Sequence, residues 1–342
     1  MLYDRLRQRA ANPYDKIFIK IFIANFSARK GEKLKYGDWL NFWLENYVRT
    51  NLKIKTVENY SRIIESRLIP RFGKSEISSL KTAEIQLYVT GLLKSGNLKS
   101  GGELSAGTVN LVITVMQNSI KVAKTLGLVK ENIADGVKRP KVRNIRPVCF
   151  SVAEQKRIEK VVFEKKGSAF GIVICLYTGL RLGELLALTW DDVDFKRKTI
   201  TVKKTCFYTA EKGRYRRVEN EPKTEASKRE IPVPEQVISL LRKMKRGYGG
   251  VYVISKKGKP VNPRNYQRCF ATVLKRAEVS RKNFHALRHT FATRAIECGV
   301  DVKTLSEILG HRSATTTLNR YAHSLTEHKR NMMKKIGNLL KD

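Results

Sequence analysis

The chain has 342 residues, enough for two domains. Its 68 lysines and arginines face only 31 aspartates and glutamates, a net charge of +37. That excess exceeds what solubility needs and points to a polyanionic partner, nucleic acid first, while the lack of a long uncharged apolar run argues against a membrane.

The five cysteines (Cys149, Cys175, Cys206, Cys269, Cys298) are scattered, odd in number and without CxxC spacing. They read as reduced thiols of a cytoplasmic protein, not as a disulfide framework or zinc site. No secretory signal is read: the apolar run IFIKIFIA is short and broken by Lys20. No carboxylate cluster has metal-ligand spacing, and no phosphate-cradling glycine loop occurs, so neither metal nor nucleotide cofactor is implied.

Residues 1–34 read as a strand or an irregular arm, with their role open. Residues 36–48 place Leu40, Trp43, Leu44 and Tyr47 at i, i+3, i+4 and i+7, an amphipathic helix. Thr56 is expected to cap a second helix with Val57, Tyr60, Ile64 and Leu68 on one stripe, stopped by Pro70. Thr82 opens a third. After a Gly/Ser/Lys loop, Val109, Val112, Ile113, Met116 and Ile120 mark a fourth that ends near Gly127. The four make a helical-bundle domain over 35–137.

KRPKVRNIRP (138–147) has two prolines and no apolar period, so 138–150 reads as a basic linker. Lys138, Arg139, Lys141 and Arg143 could lie along DNA phosphates or simply be solvated. A second domain, 151–324, is expected to open with a capping box, Ser151 and Glu154. SAFGIVICLYTGL reads as an apolar helix delivering Arg181 at its end. TITVKKTCFY (199–208), RRVENEPKT and SKREIPV suggest a small three-stranded antiparallel sheet, with Lys223 near its turn. Pro234 and Asn262-Pro263 open further helices. The fold class is therefore mainly α (α+β), a helical bundle followed by a mostly helical domain with one small sheet.

All five histidines (285, 289, 311, 323, 328) fall in the last sixth of the chain. On a helix, His285, Arg288 and His289 share one face, and Gly299 sits where that helix should end. DVKTLSEILG gives a second amphipathic segment, followed by His311. Ser313 is a good cap for a third, short helix carrying Tyr321.

TGLRLGELLAL (178–188), HALRH (285–289) and LGHRSATTTLNRYAH (309–323) resemble, in order, spacing and flanking residues, the three signature boxes of the tyrosine recombinases, the phage-integrase family. The likeness covers roughly 35–340. It implies a SAM-like core-binding domain over 35–137 and a catalytic domain over 151–324. It also implies a tail helix over 325–342 that contacts a neighbouring protomer; a self-packed helix is the other reading of that tail.

A phosphodiester is a poor electrophile, so its attack needs charge neutralisation, an activated nucleophile and an acid for the leaving oxygen. Arg181 and Arg288 suit the first task, each a permanently charged fork for two phosphate oxygens. For Arg181 a salt bridge with Glu184 at i+3 is the alternative. Tyr321 would be the nucleophile. His285 would serve as general base or phosphate donor, and His311 would donate to a non-bridging oxygen or orient the tyrosine. Lys223 resembles the family's sheet-borne general acid, with Lys228 a nearby rival. His289 and Glu184 read as structural.

The resemblance implies a site-specific recombinase cutting and rejoining DNA through a 3′-phosphotyrosyl link and a Holliday junction, without metal or ATP. The partners it implies are double-stranded core sites with inverted half-sites and three further copies of the chain, a homo-tetramer; an accessory directionality factor stays open. Integration and excision of a phage or conjugative element is the expected role. The alternatives are Xer-like chromosome-dimer resolution, a type IB topoisomerase and a non-catalytic DNA-binding protein.

Overall fold

A computed structural model describes residues 33–142, 147–211, 214–220, 228–247, 249–311, 313–318, 321, 333 and 336–338. The chain divides into two compact units, Met1–Asn144 and Ile145–Asp342. Residues 1–32, Arg143, Lys223, His323, His328 and nearly all of the tail lie outside the described residues, as do the readings that concern them.

The first unit is helical. Helix α1 (Tyr36–Trp43) continues through a π turn, Leu44–Val48. The wider turn advances the apolar stripe by one residue, so Val48 is buried where an uninterrupted α-helix would bury Tyr47. Helix α2 (Ile54–Ile63) runs through a second π turn, Ile64–Leu68, into Ile69–Phe72. Two expectations fail here. Lys53, not Thr56, sits at the cap position, and its side chain makes no capping bond. Pro70 does not stop the helix either. The π turn ahead of it places Pro70 in the first turn of the last helical stretch, where its missing N–H costs least.

Helices α3 (Thr82–Ser95) and α4 (Ala106–Thr125) complete the bundle, and Ser105 caps α4. The five α4 residues singled out from the sequence are all buried. The polar handles of two core aromatics converge on α4. The Tyr36 hydroxyl bonds the Ser119 hydroxyl at 2.8 Å, and the Trp39 indole donates to the Ser119 carbonyl at 3.2 Å.

In the second unit, α5 (Val152–Lys165) opens with the Ser151–Glu154 capping box. Helix α6 (Phe170–Thr178) is apolar on nearly every side and forms the central rod of the core. It ends at Gly179 in the left-handed region, φ +65°. A Cβ there would lie 2.6 Å from a Phe291 ring carbon and 2.9 Å from Leu309, so glycine answers both to the turn and to close packing. Arg181 is thus not the end of α6 but the cap residue of the next helix, α7 (Leu182–Ala187).

TITVKKTCFY is not one strand. Thr199–Val202 (β2) lies between β1 (Val193–Asp194) and β5 (Arg229–Pro232) in the three-stranded antiparallel sheet. After Lys203-Lys204 the chain enters a separate hairpin, β3 (Thr205–Glu211) and β4 (Arg214–Asn220). The hairpin packs on α7 at Gly183, where a Cβ would meet the Cys206 carbonyl at 2.7 Å. Helices α8 (Glu235–Gly247), α9 (Pro263–Arg276), α10 (His285–Glu297) and α11 (Val302–Leu309) complete the described core. Pro234 stands just before α8, its carbonyl accepting the first two bonds of the helix, while Asn262 caps α9 and Pro263 opens it.

Candidate active site

The end of α11 organises the site. Asp301 caps the start of this helix, and Gly310 ends it with φ +62°. The last carbonyls of a helix have no partner within it. Here three successive ones accept from three different arginines. The Ile308 carbonyl accepts from Arg229 Nε at 2.6 Å, the Leu309 carbonyl from Arg288 Nη2, and the Gly310 carbonyl from Arg181 Nη2 at 3.2 Å. The negative pole of the helix faces all three guanidinium groups.

Glu184 is their counter-ion. Its carboxylate meets Arg181 Nη1 at 2.6 Å and Arg229 Nη2 at 2.9 Å, and it accepts the Arg181 backbone N–H at 2.9 Å. The bridge proposed against a phosphate role for Arg181 is therefore real, but it positions the residue and leaves about a third of its side chain exposed (35%). Burial pushes the Glu184 carboxyl up, yet Arg229 and Arg181 outweigh it and hold the group down at about 2. Three arginines against one carboxylate leave the cluster with two net positive charges.

Arg288 is 1% exposed. Its second guanidinium nitrogen bonds the Gly179 carbonyl at 2.8 Å. Burial, reinforced by Arg181 and Arg229, pulls it down to about 9, so it stays charged at neutral pH. Arg229 escaped the sequence reading, although a signal was present. With period two, Arg229 and Ile231 share one face of β5, buried Val233 continues the alternation just past its end, and that face is the buried one. An arginine in phase with core residues requires a buried acid, and Glu184 is that acid.

Tyr321 is also 1% exposed, seated among Ala292, Ile296, Leu305 and Leu309. Its hydroxyl lies 2.7 Å from Nδ1 of His289, the histidine set aside as structural in the sequence reading. His285 packs edge-on against His289, ring centroids 4.7 Å apart. The short helix at 314–318 starts as read, Ser313 Oγ accepting the Thr315 N–H at 3.2 Å. His311 Nδ1 bonds the buried Thr317 hydroxyl at 2.7 Å, which fixes the ring. Thr317→Val should cost about 1 kcal/mol in urea unfolding. It should also slow strand cleavage by loosening His311; unchanged cleavage would show that this bond has no part in the reaction.

Lys223 lies outside the described residues. Hairpin β3–β4, whose outgoing strand leads to it, is fastened to α7: Arg217 donates to the Leu186 carbonyl at 2.8 Å and pairs with Glu219 at 2.6 Å. Lys228 is exposed and directly precedes Arg229. In the linker segment, Arg139 donates to the Asn110 carbonyl and to Thr114 and Gln117 of α4, so its guanidinium is engaged within its own unit. Lys138 bonds Gln86 through its backbone N–H, and Lys138 and Lys141 are exposed. All five cysteines are free thiols. No helix among the described residues is long and apolar enough to cross a membrane.

The phage integrase family model matches residues 156–328, and the SAM-like N-terminal domain of phage integrases matches 35–93. A XerC-like tyrosine recombinase of Caldanaerobacter subterraneus is 30% identical over 89% of this chain and 83% of its own length. The chain belongs to the phage integrase family. It is a tyrosine recombinase, an enzyme of DNA strand transfer. The ICEBs1 integrase of Bacillus subtilis is 26% identical over 92% of this chain and 85% of its own length. Among solved structures, the Tn1549 transposon integrase in complex with transposon right end DNA is similar with a TM-score of 0.74. It is 24% identical, covering 89% of this chain and all of that one, which speaks for a shared fold.

Proposed function

We propose that this recombinase binds double-stranded core sites with inverted half-sites and exchanges strands for the integration and excision of a mobile element. The observation that carries this reading is the net-positive arginine cluster, built on one helix end beside the buried phenol of Tyr321. Arg181 and Arg288 would take the non-bridging oxygens of the scissile phosphate, each worth about 3 kcal/mol at the transition state. His311 would add a donor, and Lys223 would protonate the departing 5′-oxygen. Tyr321 attacks phosphorus, the P–O5′ bond breaks, and a 3′-phosphotyrosyl link keeps the bond energy until another strand's 5′-hydroxyl reverses the step.

In this reading 35–137 grips DNA alongside the chemistry of the catalytic domain (151–324). The linker (138–150) tethers the two, and the tail (325–342) docks on the next copy of a homo-tetramer that passes through a Holliday junction. The enzyme works in the cytoplasm, with its direction open to an accessory factor. A second reading, chromosome-dimer resolution, draws support from the XerC-like relative.

Nicked suicide duplexes carrying the ends of the encoding element test the proposal. Wild type should form a covalent adduct that Tyr321→Phe does not. An adduct in Tyr321→Phe would remove the nucleophile assignment. Trapping on a chromosomal site alone would favour the second reading.

A further inference from the structure

The Tyr321 hydroxyl meets His289, which is neither of the two histidines to which the chemistry was first assigned. Nδ1 of His289 sits 2.7 Å from the phenolic oxygen, with the rings 5.8 Å apart and tilted 61°. This is hydrogen-bond geometry suited to direct proton transfer. The surroundings agree with such a transfer. Helix α10 contributes Arg288, His289 and, edge-on to His289, His285. Helix α11 contributes apolar Leu305 and Leu309 to the seat of the tyrosine ring. Arg288 and Tyr321 are close enough to influence one another electrostatically. A proton passed to His289 therefore leaves a phenolate beside a buried guanidinium, with an apolar wall behind it.

We propose that His289 is the general base that accepts the Tyr321 proton. The inference rests on Tyr321 being the nucleophile. With the neutral ring protonated at Nε2, Nδ1 accepts the phenolic hydrogen bond. As the Tyr321 oxygen bonds to phosphorus, its O–H bond breaks and the proton moves to Nδ1. The P–O5′ bond breaks, and the leaving oxygen takes a separate proton from the general acid. In rejoining, the incoming 5′-hydroxyl gives up its proton to that acid's conjugate base, and His289 returns its own to the departing tyrosine. His285, the earlier candidate for the base, then acts as the neighbour that fixes the His289 ring.

The test measures single-turnover cleavage of the nicked duplex from pH 6 to 10 in wild type, His289→Ala, His289→Asn and Tyr321→Phe, with DNA binding and thermal unfolding measured alongside. Asparagine can keep a hydrogen bond to the phenol but cannot accept its proton. Both His289 variants should lose about a hundredfold or more near neutral pH while still binding DNA. The deficit should shrink as the pH approaches the phenol's ordinary value of about 10, where hydroxide does the base's work. Recovery of activity in His289→Asn, or a deficit constant across pH, would reduce His289 to a positioning role and overturn the proposal. An adduct persisting in Tyr321→Phe would instead bring down the nucleophile assignment beneath it, a result distinct from any outcome at His289.

Discussion

Arg229→Ala is expected to destabilise the catalytic unit by about 3–5 kcal/mol, read as a lower urea midpoint with an unchanged slope. The change strands Glu184, itself 5% exposed, and frees the Ile308 carbonyl at the end of α11. Replacing both partners with methionine should recover much of the stability, because no buried charge is then left unpaired. It should not recover cleavage, since Glu184 also orients Arg181.

The loss has a pH signature. Glu184 is held at about 2 in the fold, below its ordinary 4.5. A carboxyl depressed in this way stabilises the fold fully above its unfolded value and loses that contribution as pH falls toward its folded value. The gap between wild type and Arg229→Ala should therefore be widest near neutrality and close below about pH 4.5. A gap independent of pH would mean that the pair contributes through packing, not charge.

Arg288→Lys is expected to lower cleavage about a hundredfold or more despite keeping the charge. Arg288 spans the Gly179 and Leu309 carbonyls with two separate nitrogens. A lysine offers one ammonium and cannot hold both anchors and a phosphate. The buried cation also carries a cost. Burial, reinforced by Arg181 and Arg229, disfavours the charged form, so the penalty is present at neutral pH. An anion in the site offsets that penalty. Added inorganic phosphate should raise the melting temperature of wild type more than that of Arg288→Lys. Equal shifts would place the anion elsewhere.

Much of this was legible from periodicity and caps. The α4 stripe, the Ser151 box, Gly299 and the Ser313 start depend on spacing within one turn, and the structure has them where the sequence placed them. The π turns were not legible, because a one-residue shift in a helical stripe looks the same as an imperfect one. Pro70 was misjudged for the same reason: its tolerance comes from the turn ahead of it. Splitting 199–208 into two sheets depends on partners 30 residues away, which local β propensity does not contain. In the site, residue types and order pointed to Arg181, Arg288 and Tyr321. The choice between His285 and His289 turns on which of two neighbours on one helix face meets a phenol 32 residues later. Spacing on the helix fixes the shared face, but not the partner.

The seating of three arginines on residues 308–310 has an evolutionary consequence. A helix end that satisfies three guanidinium groups makes their fates inseparable: a change that tilts α11 unseats all of them, and a change at one arginine leaves a bare carbonyl that disturbs the others. Substitutions at Ile308, Leu309, Gly310, Arg181, Arg229 and Arg288 should show strong epistasis, with double changes costing far less than the sum of single ones. Such a lineage cannot drift by degrees through a half-armed enzyme; it keeps the cluster whole or loses it together.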